Sequence, residues 1–291
     1  MTSDNTISKR MDTLVNVRKN SIGSIVTTII IAIISLTYIF PFIWLAYTSL
    51  KTQAEYFMSI FALPTTFNLE NFEMIFTRRD VLAIFRNSFF NSTFSLIWIF
   101  ALSYTLGYVL ARFEFKGRKF VYMFFLASMV IPVHALLIPI FIQFRDINMI
   151  DNRFSLIMPY VAFNIPIAIY LFDSYIRGIP REMEEAAIMD GGSYFSIMTR
   201  VIFPICRPIT ATVLILSFLN LWNEFPFALI LVTSDRYMTV PIWLTVFRGQ
   251  FTVDYPLQFA AMFVASIPVV IVYLFFKNKI MQGMAAGAVK G

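Results

Sequence analysis

The chain has 291 residues, a net charge of +6 and a mean hydropathy of +0.73, with 58% hydrophobic and only 14% charged side chains. Soluble domains carry roughly 25% charged residues, so this composition excludes a water-soluble globule and points to an integral membrane protein. The apolar runs lack the two-residue alternation of membrane β-strands, which leaves helices.

Residues 1–21 are polar and carry Lys9, Arg10, Arg18 and Lys19. They are too long and polar for a leader's basic segment, and no small-residue cleavage pattern follows, so they read as a retained tail. A bilayer span needs about 20 apolar residues. Runs of that size lie at 20–50, 87–111, 120–144, 154–172, 208–234 and 255–276, the fifth interrupted by Glu224. The expectation is an all-α, multi-pass protein with six transmembrane helices, residues 22–291 forming one domain. With an inside amino terminus, fifteen of the 23 Lys and Arg fall on inside segments. This matches the positive-inside rule with both termini cytoplasmic. The basic excess therefore orients the chain in its membrane and does not recruit nucleic acid. Residues 177–207 become a long cytoplasmic loop between helices four and five, and residues 233–256 an external loop.

In the third run, His134 between Pro132 and Pro139 suits packing or a kink better than a proton relay. Pro132, Pro139, Pro166, Pro226 and Pro268 each interrupt helical hydrogen bonding, which membrane helices tolerate where neighbours re-satisfy the backbone.

The most polar interval, "PREMEEAAIMDGGSYFSIMTRVIFP" at 180–204, lies in the cytoplasmic loop. Pro180 suits a first helical turn, and Glu182, Glu184 and Glu185 favour its positive end. Gly191 or Gly192 suits a left-handed stop. Ser193 then caps a second short helix through Phe203, which Pro204 ends. Ala186, Ala187 and Gly191 make a small-residue surface, while Met183, Ile188 and Met189 are suited to filling an apolar cleft. By these residues alone the loop is either a helix built for another protein's groove or an amphipathic cover for the membrane surface.

Beyond the loop, Cys206 cannot form an internal disulfide and reads as a small residue at a helix start. Glu224 is the only charge within a span, and intramembrane ionisable groups are functional hypotheses by default. It suits lining an outer vestibule, pairing with a base such as Arg236, or snorkelling beside Trp222. Asn220, Trp222 and Asn223 offer the aromatic faces and amides that a sugar needs, though such residues also anchor helices at the interface. The loop "TSDRYMTVPIWLTVFRGQFTVDYP" is rich in aromatics. No G-x-x-x-x-G-K-[ST] phosphate loop occurs, so the chain holds no ATP by itself. One histidine and one cysteine make no zinc site, and no nucleophile elbow is present. The expectation is a transport subunit, not an enzyme, without cofactor or metal.

Glu185-Ala186-Ala187, followed by Gly191, Val201 and Phe203-Pro204, resembles the EAA loop of ABC importer permeases. Val201 and Phe203 replace the family's isoleucine and leucine but keep apolar character. "NSFFNSTFSL", "ARFEFKGRK", "IPVHALLIPIF", "LWNEFPFALI" and the tail "QGMAAGAVKG" are similar to the carbohydrate-uptake branch. The resemblance spans about residues 25–291 and points to the second permease, of the maltose-importer type. It implies the type I ABC importer permease fold, in a bacterial-type plasma (inner) membrane. It further implies a coupling helix docked to an ATPase through Glu185, Ala186, Ala187, Asp190, Gly191 and Pro204. The implied partners are a second permease, two ATP-binding subunits that hold ATP and magnesium, an external solute-binding protein, a carbohydrate and membrane lipid. The external loop would reach the binding protein or fold at the interface. Two rival readings are an importer for a non-sugar solute and an ion-coupled secondary transporter centred on Glu224.

Overall fold

The computed structural model describes residues 22–247 and 254–288. Every regular element among them is helical. Where the sequence suggests one six-helix domain, the chain forms two compact units, residues up to 73 with 254–263, and 74–253 with the remainder of the last helix.

The smaller unit contains α1 (Ile22–Thr48) and α2 (Gln53–Met58). The apolar window of α1 has no side chain buried within the chain, as expected of a helix solvated by lipid or by another protein. The chain turns out of α1 through a polar knot. Buried Lys51 donates to the carbonyls of Ser59 (3.0 Å) and Ile60 (3.1 Å), and Asn71 donates to those of Ser49 (2.9 Å) and Lys51 (2.8 Å). A capping box starts α2: the Thr52 hydroxyl accepts from the Glu55 N–H and the Glu55 carboxylate accepts from the Thr52 N–H. Trp44 packs edge-on against Phe259 and Tyr56 stacks on Tyr255.

After α3 (Glu70–Arg78), the larger unit is built on α4 (Val81–Arg112). Two shorter helices, α5 (Arg118–Ser128) and α6 (Val133–Asp146), follow, then α7 (Ile157–Arg177). The pairing of α4 with α7 is the most extensive helix contact in the chain. Small and polar residues make it: Ser88, Ser92, Ser95, Ser103, Gly107 and Ala111 of α4 are buried, while Leu82, Ile97 and Leu102 are exposed. This inverts the pattern of a soluble helix. Lipid is as apolar as leucine, so association in a membrane is favoured by close backbone approach, which small residues permit.

The third predicted span differs from a straight helix. α5 and α6 meet at 100°, the break falling at 129–132. Pro132 lacks an N–H and disfavours helical geometry at the residue before it. His134 is exposed in the first turn of α6.

The polar loop contains α8 (Glu182–Met189), α9 (Tyr194–Ser196), a π-helical segment Ile197–Ile202 and α10 (Phe203–Ile205). The fifth span, α11 (Arg207–Trp222), joins this arm at an 80° bend. Pro204 therefore does not end the second loop helix. It sits at the start of α10, where its missing N–H costs little, and the direction changes two residues later at Cys206. The fifth predicted run is also shorter than expected, since α11 stops at Trp222 and the chain resumes in α12 (Pro226–Leu231). A 3₁₀ turn, Asp235–Tyr237, α13 (Val240–Trp243) and α14 (Tyr255–Ala288) complete the chain. Counting each bent pair as one, the membrane crossings number up to six.

The predicted external loop folds onto the larger unit as far as it is described. Met238, Val240 and Trp243 are buried, and the Val240 N–H donates to Ser88 Oγ at 2.8 Å. Asn87 donates to the carbonyls of Arg236 (2.9 Å) and Met238 (3.0 Å). Residues 248–253 of that loop lie outside the described residues. Asp151 accepts from the N–H groups of Thr233 and Ser234 and from the Ser234 hydroxyl. Burial alone would raise this carboxyl, but the Ser234 and Thr233 donors outweigh it and hold Asp151 below its ordinary value.

Two outcomes follow. A Cβ at Gly107 would lie 2.7 Å from Phe172 Cβ and 3.2 Å from the Asp173 nitrogen. Gly107→Ala is expected to cost about 1–3 kcal/mol through overpacking, read as a lower unfolding midpoint in detergent. The Asp151 contribution is complete above the unfolded carboxyl value, about 3.9, and is lost as pH falls through the lower folded one. Amide exchange at 231–238 should accelerate there, and Asp151→Asn should remove the pH dependence.

Candidate functional site

The loop helix α8 is closed at its carboxyl end by backbone geometry that only this sequence order allows. Gly191 adopts φ +80, its N–H donates to the Ile188 carbonyl (2.9 Å), and the Gly192 N–H reaches back to Ala187 (2.9 Å). These paired bonds are a Schellman motif and satisfy carbonyls that the helix end would leave bare. Of the two candidate glycines, Gly191 takes the left-handed position. Gly192 is needed for a different reason: a Cβ there would meet the Ala187 oxygen at 2.7 Å. Ser193 then caps α9 as the sequence predicts, its hydroxyl accepting from the Ser196 N–H at 3.3 Å. Pro180 precedes the Arg181 cap instead of entering the first turn.

The predicted docking residues lie on the outer side of this motif. Glu185, Ala186, Asp190, Gly191 and Pro204 are exposed, and Ala187 is half-buried against the core. Met183 and Met189 are exposed beside them, at 45% and 87%. An open cleft of about 660 Å³ adjoins α8, lined by residues that include Arg112, Arg177, Arg181, Glu182 and Glu185.

The inner side carries residues the sequence reading did not single out. Glu184 is buried, in an ion pair with Arg112 at the last turn of α4, and its other oxygen accepts from the Tyr108 hydroxyl at 2.9 Å. Arg112 also donates to the Ile179 carbonyl at 2.9 Å. One turn earlier on α4, the Tyr104 hydroxyl donates to the Met198 carbonyl at 2.6 Å. Arg177 pairs with Asp173 and donates to the Leu110 carbonyl at 3.0 Å. The available signal was spacing: Tyr104, Tyr108 and Arg112 stand four apart, on one face of a helix.

The second predicted group lies around the end of α11. Asn220 and Asn223 are exposed, and Asn223 Nδ2 donates to the Leu219 carbonyl at 2.8 Å. Asn220 Nδ2 reaches Asn164 Oδ1 at 3.5 Å, and Asn164 donates in turn to the Tyr160 carbonyl. Trp222 departs from the expectation. It is 2% exposed, donates to the Ala265 carbonyl at 3.3 Å and packs among Phe85, Phe89 and Phe218. Its ring thus serves the core and offers no face to a sugar or an interface. Glu224 accepts from the N–H groups of Phe227 (2.7 Å) and Ala228 (3.2 Å), with the Tyr160 hydroxyl as a further partner. It caps the amino end of α12, so the expected pairing with Arg236 is absent among the described residues; that guanidinium lies over Tyr237. No group of three metal-ligating side chains occurs among the described residues.

A multi-pass helical bundle that holds a short apolar-faced helix clear of its core is the plan of a transport permease. Residues 103–285 match the family described as binding-protein-dependent transport system inner membrane component, and the chain belongs to that family. It is a permease subunit of an ABC importer, a multi-pass inner-membrane protein and not an enzyme. It is 32% identical to the sulfoquinovosyl glycerol transport system permease protein SmoH of Agrobacterium fabrum, over 87% of this chain and 89% of that one. It is also 32% identical to the diacetylchitobiose uptake system permease protein NgcG of Streptomyces coelicolor, over 87% and 84%. Among solved structures, a bacterial ABC transporter that imports the acidic polysaccharide alginate shares the fold, with a TM-score of 0.78 at 23% identity, over 88% and 96% of the two chains.

Substitution of the glycines tests the loop motif. Gly191→Ala places a side chain in a left-handed conformation at about 1–2 kcal/mol, and Gly192→Ala sets a Cβ against a carbonyl. Both should raise amide exchange across 182–205, Gly192→Ala the more, while α4 and α7 keep their protection.

Proposed function

We propose that this chain forms half of the translocation pathway of an importer for carbohydrate, with α8 as the helix that docks on an ATPase subunit. The observation that carries this reading is the two-sidedness of α8, apolar and small outside, ionically fixed inside. A helix that merely covered a membrane surface would have no need of a buried carboxylate at its centre. Both termini and the loop 177–207 face the cytoplasm, as the distribution of Lys and Arg favours. A second permease completes the pathway. Two ATP-binding subunits hold ATP and magnesium, and an external solute-binding protein delivers the substrate. Glu185, Ala186, Ala187, Asp190, Gly191 and Pro204 contribute to the docking surface. The sugar-uptake names of the relatives support a carbohydrate substrate. Asn220 and Asn223, exposed near the end of α11, are the pathway residues with free amide faces, and Asn164 extends their polar strip.

Glu224 weakens the ion-coupled alternative. Its carboxylate is engaged as a helix cap by two backbone donors, an arrangement that loss of the charge would undo.

The test is to co-express the chain with candidate partner-permease, ATPase and binding-protein subunits and to purify through this chain. Ala186→Glu puts a charge on the exposed face without touching the core. The wild type should retain ATPase, and the variant should lose at least tenfold of it and of sugar uptake. Uptake by the chain with no ATPase present would overturn the reading.

A further inference from the structure

We infer that one face of α4, formed by Tyr104, Tyr108 and Arg112, is the junction through which movement of α8 enters the membrane. This inference rests on the docking reading above and adds the element that receives the force.

The chain connects α8 directly to α7 and, through the second arm of the loop, to α11. α4 is a neighbour of neither loop arm in sequence; Tyr108 and Glu184 stand 76 positions apart. Yet α4 supplies every buried polar anchor that Glu184 has. Arg112 and Tyr108 engage different carboxylate oxygens from one helix face. A carboxylate held at both oxygens cannot turn away from either partner without breaking a bond in a poorly hydrated site, where an unpaired charge is costly. Arg112 also fixes the entry to α8 through the Ile179 carbonyl. Tyr104 grips the other arm through Met198, inside the π segment. Residues at i, i+4 and i+8 of a single helix thus hold the segment before α8, α8 itself and the arm after it.

These contacts lie on the side opposite the exposed residues Met183, Ala186 and Met189. They are positioning residues: a load applied to the outer face of α8 reaches α4 through them before it reaches α7 or α11 through the connecting loops. α4 packs in turn along α7 and α11, so the helix that receives the load is the one with most of the bundle attached.

The experiment uses the assembled transporter with Tyr104→Phe/Tyr108→Phe and, separately, Arg112→Lys. The phenylalanines keep ring packing and remove both hydroxyl anchors; lysine keeps the charge but not the planar fork. Three readouts are taken: ATPase co-purification, sugar transported per ATP hydrolysed, and the distance between spin labels at Met189→Cys and Phe115→Cys. The native Cys206 is fully buried and stays unlabelled.

The expected result is retained ATPase with transport per ATP lower by at least threefold in the double phenylalanine variant and by about tenfold in Arg112→Lys. The label distance, narrow in the wild type across nucleotide states, should broaden. An unchanged transport ratio in both variants overturns the inference, as does loss of ATPase in step with transport, which would make these residues supports for folding alone. If Arg112→Lys does not assemble, the phenylalanine variant decides by the same ratio. A wild-type complex that retains no ATPase defeats the docking reading and this one together, whereas a coupled wild type with fully coupled variants defeats this one alone.

Discussion

The approach of α4 to α7 is the contact on which the rest depends. Gly107 lets the two backbones close until the position of an absent Cβ falls 2.7 Å from Phe172. That closeness brings the helix ends together, and the arginines of each end then serve the other. Arg177 of α7 donates to Leu110 of α4, while Arg112 of α4 donates to Ile179 just beyond α7. The terminal carbonyls of a helix lack intrahelical partners, and cations are favoured beside them. A membrane helix end that must also support a loop therefore gains a rigid base from groups that would otherwise need water. A wider spacing of the two helices would separate Arg112 from both of its partners, and α8 would lose its seat.

Much of this was legible in the sequence. Runs of about 20 uncharged residues located the helices, because a bilayer leaves the backbone no other partner. The Gly-Gly pair and Ser193 gave the end of α8 and the start of α9, since positive φ and hydroxyl capping are local demands. Three things were not legible. The breaks around Pro132 and at Cys206 depend on what neighbouring helices offer, and hydropathy averages over both. Trp222 and Glu224 looked exposed to solute or interface because their type suits it. Their burial and capping are set by Phe85, Ala265 and the start of α12, which lie elsewhere in the chain or in the following turn. Glu184 and Glu185 are adjacent and chemically identical, so local reading could not say which faces inward. Only the helical phase relative to Arg112, 72 positions away, decides it.

The buried ion pair bears on how such a loop can act. Replacing a buried pair with apolar residues is often neutral or stabilising, whereas removing one partner is costly. Stability alone is thus weak grounds for a carboxylate at the centre of α8. Orientation is a better one. An apolar contact tolerates sliding, but a carboxylate engaged at both oxygens defines an angle as well as a distance. The exposed face of α8, with Met183, Ala186 and Met189, is presented at a fixed azimuth because Glu184 cannot rotate about the helix axis.

The π segment Ile197–Ile202 carries a consequence for lineage and for engineering. A π turn accommodates a residue beyond the count of the α-helix, and each residue of an α-helix advances the azimuth by about 100°. Deleting one residue there would leave an unbroken α-helical arm with sound hydrogen bonding, yet everything on its far side would be turned by more than a quarter circle. The loop's handedness toward whatever it meets is thus stored in a residue count. In this segment chain length is a dial, and the descendants of this sequence can change side chains far more freely than they can change its number of residues.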